Sequence, residues 1–134
     1  MTDHYALFGH PVDHSKSPLI HGWFADATGE ALGYRTIDVA PEQSTGFAEA
    51  VAAFIETGGR GANVTAPFKQ RALALADSAS RTARLAGAAN ALRFERGTVH
   101  AENFDGAGLR RDIEINLGQL MAGLRVWAET LPLC

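Results

Sequence analysis

Three times within the first 76 residues, a short apolar or β-branched run gives way at a glycine or proline to a stretch with helical spacing. Tyr5-Ala6-Leu7-Phe8 ends at Gly9 and Pro11, the mark of a buried strand leaving a sheet at a turn. Ser17-Pro18 then sets a hydroxyl at the N-cap and proline at the first helical position, and Leu19, Ile20, Trp23, Phe24 and Ala27 keep helical spacing up to Gly29. Residues 34–39 predict a second strand from their β-branched content. Phe47, Ala50, Val51, Phe54 and Ile55 carry a helix from Thr45 to the stop at Gly58-Gly59. Residues 62–65 predict a third strand, with Pro67 opening a helix through Leu73, Leu75 and Ala76.

Downstream, residues 80–86 predict a short helix, and residues 90–94 and 98–101 flank Glu95-Arg96-Gly97, a gap suited to an antiparallel hairpin. A further helix is expected over 107–117, with 118–123 as a connection. The alternation predicts an α/β fold: a mixed, mainly parallel sheet flanked by helices, with one antiparallel edge hairpin. At 134 residues the chain suits one compact domain, set at residues 1–117, with 118–134 as linker and tail. Ligands of such sheets gather beyond the carboxyl ends of the strands, which selects residues 9–17, 65–69, Asn90 and 103–106.

Composition narrows the partners. A formal net charge of -3 argues against the basic footprint of a nucleic-acid binder, and no apolar run approaches the length of a membrane helix. The single cysteine, Cys134, excludes an internal disulfide and suits a reducing, cytoplasmic setting. His10, His14 and His21 make a poor zinc set, because Pro11 disrupts helical presentation and no cysteine assists. A small-molecule ligand remains the expected partner, and a homodimer stays open.

The selected loops carry the chemistry. Ser15 and Ser17 stand at the start of a helix whose backbone N–H groups favour anions; one reading is a plain cap at Ser17, the other a carboxylate site. Lys69 sits in the first turn of its helix, where the macrodipole makes an ammonium unfavourable, so it is either a solvated surface lysine or a proton-transfer group. Asp105 is either a helix cap or the carboxylate that orients Lys69. Asn90 both donates and accepts, as recognition of a hydroxyl requires.

Four ordered motifs carry a family resemblance: Phe8-Gly9-His10-Pro11 through His14-Ser15-Lys16-Ser17-Pro18 and His21; Gly59-Arg60-Gly61-Ala62-Asn63-Val64-Thr65 with Pro67-Phe68-Lys69; Leu85-Ala86-Gly87-Ala88-Ala89-Asn90; and Asn103-Phe104-Asp105-Gly106-Ala107-Gly108-Leu109. From about residue 5 to residue 113 the chain resembles the substrate-binding domain of shikimate dehydrogenase. The resemblance implies NADP-dependent, reversible reduction of 3-dehydroshikimate to shikimate, in aromatic amino-acid biosynthesis. It implies that Ser15 and Ser17 hold the carboxylate and that Thr65, Asn90 and Asp105 contact the ring hydroxyls. Lys69, also a substrate contact, and Asp105 would form the catalytic pair. Ala91 and Phe104 stand where the family usually has threonine.

No strand–GxGxxG–helix cradle for the cofactor is expected in this chain. Gly59-Arg60-Gly61 precedes a strand, and Gly106-Ala107-Gly108 has Arg111 where the third glycine belongs. After Gly123-Leu124-Arg125-Val126 the family pattern is lost, and the tail from Trp127 to Cys134 reads as a truncation or frameshift, with Trp127 and Leu131 covering apolar surface. The expected behaviour is substrate binding without turnover. The alternatives are part of a quinate/shikimate dehydrogenase using NAD, a non-catalytic small-molecule binding module, and a fragment that folds poorly.

Overall fold

The computed structural model of the chain describes residues 1–42 and 46–127. In chain order the elements are β1 (Asp3–Gly9), α1 (Ser17–Thr28), β2 (Leu32–Asp38), α2 (Gly46–Glu56), β3 (Gly59–Val64), α3 (Lys69–Leu75), β4 (Ser78–Ala79), α4 (Arg81–Ala86), β5 (Ala91–Glu95), β6 (Thr98–Glu102) and α5 (Asp105–Asn116). The described residues fall into two compact units, divided between Phe104 and Asp105. The first holds the whole sheet. In the second, α5 buries none of its residues and ends near a turn at Gly118.

The sheet is α/β and mixed, in the order β2-β1-β3-β5-β6-β4. β1 runs parallel to β2 and β3, β4 runs parallel to β6, and β5 alone opposes its neighbours β3 and β6. The predicted hairpin is β5–β6, closed by Arg96 and Gly97 at φ 50° and 77°. Two left-handed central residues match the right-handed twist of the strands, and glycine takes the second position without steric cost. The two-residue β4, which periodicity cannot reveal, lies beyond β6.

Strand alternation sorts the faces. Ala6 and Phe8 of β1, Ala62 and Val64 of β3, and Leu92 and Phe94 of β5 share one face and pack with Phe47, Val51 and Phe54 of α2 and with Phe68 and Ala72. The core is strongly aromatic: Phe8 meets Phe47 and Phe54 edge-on at 6.0 and 5.9 Å, and Phe47 stacks on Phe68 at 4.9 Å. Phe8, Phe47 and Phe68 are essentially inaccessible to solvent. Full burial of each contributes about 1.5–3 kcal/mol. The opposite face carries Tyr5, Tyr34 and Asn63, and α1 reaches it through His21, which stacks on Tyr34.

Three local expectations change. Ser17 is the first residue of α1, not its cap; Lys16 takes the cap position without a side-chain bond, and Ser15 accepts the Ser17 N–H instead. Pro67 does not open α3. It lies in a turn closed by the Phe68 N–H on the Thr65 carbonyl (3.1 Å), and the helix starts at Lys69. Of the apolar residues spaced along α1, Leu19, Trp23 and Phe24 are exposed, and the one fully buried residue is Ala25. The proposed helix start at Thr45 and the tail from 128 to 134 lie outside the described residues.

Candidate substrate site

Register brings one end of five strands to a common rim. Gly9 lies opposite Asp38, Phe8 opposite Val64, Asn63 opposite Ala91, and Ala91 opposite Glu102. The loops after β1, β3 and β6, and the loop that enters β5, therefore leave from the same edge. Because β5 is reversed, Asn90 arrives there from its amino end.

The serine loop is pinned by Asp38 at the end of β2. One carboxylate oxygen meets Nδ1 of His10 at 2.6 Å, and the other accepts the Val12 N–H at 3.2 Å. The Ser15 N–H closes a turn on the Val12 carbonyl, and Ser15 and Ser17 join hydroxyl to hydroxyl at 3.1 Å. Both serines are half-buried. The His10 bond holds the Asp38 carboxyl below its ordinary range, and the same bond raises the His10 imidazole.

The loop after β3 is stitched to the serine loop. The Thr65 N–H donates to the Phe8 carbonyl at 2.9 Å, and the His10 N–H donates to the Ala66 carbonyl at 3.0 Å. Lys69, half-buried at the start of α3, follows at once, and its carbonyl accepts the Ala89 N–H at 2.8 Å. That bond carries the network to the third loop.

Asn90 is tied on both sides. Its carbonyl accepts from Val64 at 2.8 Å, its N–H donates to Glu102 at 3.0 Å, and its Oδ1 accepts the Phe104 N–H at 3.0 Å. Buried Asn103 sends Nδ2 to the Ala88 carbonyl at 2.9 Å, fixing the approach to Asn90. Within the first unit the rim thus gathers the loops of Ser15, Ser17, Thr65, Lys69 and Asn90. Asp105 is the exposed first residue of α5 and opens the second unit.

Four side chains that organise this region were given no role from the sequence: Asp38 and Tyr34, which lie outside the motifs, and Asn63 and Asn103, which lie within them. The Tyr34 hydroxyl donates to Asn63 Oδ1 at 2.8 Å, and its ring stacks on His21 at 4.2 Å. Burial pushes the phenol up to about 12, opposed by a hydrogen bond from Ser17. A groove of about 610 Å³ runs along this face past His21, Phe24, Tyr34 and Asn63, and Ser15, Ser17, Thr65, Lys69 and Asn90 do not line it. Among the described residues no cluster of His, Cys, Asp or Glu is arranged to hold a metal ion. None of their helices is long and apolar enough to cross a membrane.

The fold and the rim define an α/β substrate-binding domain with paired hydroxyls, an amine and a carboxamide carried on adjoining loops. The chain belongs to the shikimate dehydrogenase substrate binding domain family, whose sequence profile matches residues 7–92. It is 47% identical over 126 residues to the shikimate dehydrogenase (NADP(+)) of Alkalilimnicola ehrlichii, covering 94% of this chain and 46% of that protein. Among solved structures, an Ael1 enzyme from Pseudomonas putida is 54% identical with a TM-score of 0.82, covering 87% of this chain and 42% of the other. Shikimate 5-dehydrogenase from Thermus thermophilus, solved with NADP(H) and shikimate, is 31% identical with a TM-score of 0.75, covering 85% and 42%. The chain spans about half the length of the curated relatives it matches.

Proposed function

We propose that this chain supplies the acid- and alcohol-binding side of a shikimate dehydrogenase. Ser15 and Ser17 take the carboxylate of shikimate or 3-dehydroshikimate, and Thr65, Asn90 and Asp105 take the ring hydroxyls. Lys69, with Asp105 as its partner, exchanges the proton of the alcohol that is oxidised. The observation that supports this reading is the stitching of three motif-bearing loops at one sheet rim, through the bonds from His10 to Ala66 and from Ala89 to Lys69.

NADP is proposed as the cofactor of the whole reaction, after the printed name of the relatives. The described residues do not fit it. Gly59 and Gly61 lie inside strand β3, and Gly106 and Gly108 lie inside helix α5, so neither pair makes the glycine turn from strand to helix N-terminus that a dinucleotide cradle requires. The proposed role of this chain by itself is therefore to bind the hydroxy acid.

Calorimetric titration tests the reading. Shikimate is expected to bind the 134-residue chain in the presence or absence of NADP, and incubation with both is expected to yield no NADPH. Absence of shikimate binding overturns the assignment of the rim. Quinate in the same titration decides between the two acids.

A further inference from the structure

We propose that Ser78, His100 and Glu102 form a second reactive site, a serine nucleophile with its base and an orienting carboxylate, that takes the acyl group of small esters. None of these three side chains is used at the rim, so the proposal does not rest on the reading of the hydroxy-acid site.

Strand register builds the cluster. β6 turns Val99 and Ala101 toward the core, so His100 and Glu102 project together from the opposite face. Ser78 lies opposite His100 in the parallel pairing of β4 with β6. Backbone bonds hold it on both sides: the Asp77 N–H donates to the Val99 carbonyl at 2.9 Å, and the Ser80 N–H to the Ala101 carbonyl at 3.0 Å. The Asp77 carboxylate accepts the Val99 N–H at 2.7 Å in return.

The three side chains are then joined in one line. Ser78 Oγ lies 2.7 Å from His100 Nδ1, and His100 Nε2 lies 3.2 Å from Glu102 Oε1. A carboxylate only accepts, so the imidazole hydrogen sits on Nε2 and Nδ1 turns a lone pair to the serine. The Ser78 hydroxyl thus donates to a base whose other nitrogen is oriented by an acid, which is the arrangement of an activated nucleophile.

The surroundings suit an ester. Ser78 is exposed, while His100 and Glu102 are half-buried. Arg93 stands opposite His100 in the β5–β6 pairing, on the same face, and its Nε lies 3.9 Å from the Glu95 carboxylate, loose enough to turn toward a developing oxyanion. Arg93 also lines the groove that passes Phe24 and Tyr34, which offers an apolar wall beside the cluster. In the reaction, Ser78 Oγ bonds to the acyl carbon as its proton passes to His100 Nδ1, the ester C–O bond breaks, and the alcohol leaves with that proton. Water, giving a proton to the same nitrogen, then cleaves the acyl-serine to the carboxylic acid and restores the hydroxyl.

The test uses the 134-residue chain with two probes: p-nitrophenyl acetate, read as p-nitrophenolate release, and a fluorophosphonate, which bonds to an activated serine as fluoride leaves and is mapped by peptide mass spectrometry. The label is expected on Ser78. Ser78→Ala and His100→Gln are each expected to slow p-nitrophenolate release by about tenfold or more, a modest share of what a positioned base supplies. Glu102→Gln should slow it too, and in a His100→Gln background should have no further effect, as for a group acting through the imidazole. A label mapped to other residues, or a rate unchanged by Ser78→Ala or His100→Gln, overturns the proposal, and a further loss on adding Glu102→Gln to His100→Gln overturns the role of Glu102. Thermal melts separate loss of fold from loss of the nucleophile, and should a variant fail to fold, the label mapped on the wild type decides. Shikimate titration of Ser78→Ala is expected to match the wild type; a fall there overturns the standing of Ser78 as a separate site.

Discussion

Gly9 faces Thr65 so closely that a Cβ on the glycine would lie 2.3 Å from Thr65 Cγ2, and it would also meet Val12 Cγ1 at 2.8 Å and the Ala66 carbonyl at 3.2 Å. The serine loop and the lysine loop are thus pressed together at a point where only hydrogen fits. Gly9→Ala is expected to destabilise the fold by about 1–3 kcal/mol, the usual result of overpacking, and to weaken shikimate binding by moving Thr65. Urea unfolding checks the first part; an unchanged midpoint would show that the loops have room.

Ser15→Ala and Ser17→Ala each remove one hydroxyl from the proposed acid site. Hydrogen bonds to charged groups contribute about 1.5–3 kcal/mol, so each change should weaken shikimate by about tenfold or more. Ser15→Ala also strips an acceptor from the Ser17 N–H, so a shift in its melting temperature is expected besides. Titration of both variants reads the effect, and wild-type affinity in both would move the carboxylate elsewhere.

Phe68 is fully buried, stacks on Phe47 and immediately precedes Lys69. Phe68→Ala should cost about 3–5 kcal/mol, as expected for an aromatic truncated in a packed core. Chemical denaturation measures it. A loss under 1 kcal/mol would mean that the core closes over the gap.

His10 and Asp38 give the fold a pH window. The raised imidazole contributes stability that is complete below its ordinary value of 6.5 and is lost as pH rises through the raised one. The lowered carboxyl contributes stability that is complete above its ordinary 3.8 and is lost as pH falls through the lowered one. The difference in melting temperature between wild type and His10→Ala should therefore be largest between those two values and shrink on either side. Both groups are open to solvent, so the effect is expected to be small and to fade in high salt. A difference that is flat from pH 3 to pH 9 would exclude the ion pair as its source.

Lys69→Ala is expected to separate chemistry from binding. Joined to the remaining half of the Alkalilimnicola relative, the variant should lose turnover by about a hundredfold or more while shikimate affinity falls far less, as for a group acting in proton transfer. Steady-state kinetics beside calorimetry make the comparison. Undiminished turnover would remove Lys69 from the reaction.

Much of the scaffold was readable from the residues because burial imposes a period. Ala6 and Phe8, Ala62 and Val64, and Leu92 and Phe94 alternate as strands must, and Phe47, Val51 and Phe54 recur as a helix face must. The loops that carry Ser15, Thr65 and Lys69 followed from where such strands end, whereas Asn90, read as the first residue of a strand, precedes the reversed β5 and reaches the rim from its amino end. Less local features were hidden. Asp38 meets Val12 and His10, Tyr34 meets Asn63, and Asn103 meets Ala88 across sequence gaps of 15 to 29 residues, so only strand register brings the partners together. Serine before proline is a strong cap signal, yet Ser15 offered a competing acceptor and the helix began one residue early. Pro67 was drawn instead into the turn that Phe68 closes on Thr65.

The reversal of β5 gives the Arg96-Gly97 turn a reach beyond its own neighbourhood. A two-residue link at the far edge joins two rods, and their opposite ends are Asn90 and the backbone of Phe104, themselves bonded at 3.0 Å. The hairpin behaves like a pair of tweezers hinged at Gly97. A side chain forced into that left-handed position would change the splay of the strands and slide the carboxamide of Asn90 along the rim, so a lesion remote from the proposed acid site is expected to alter the selectivity among ring hydroxyls proposed for Asn90.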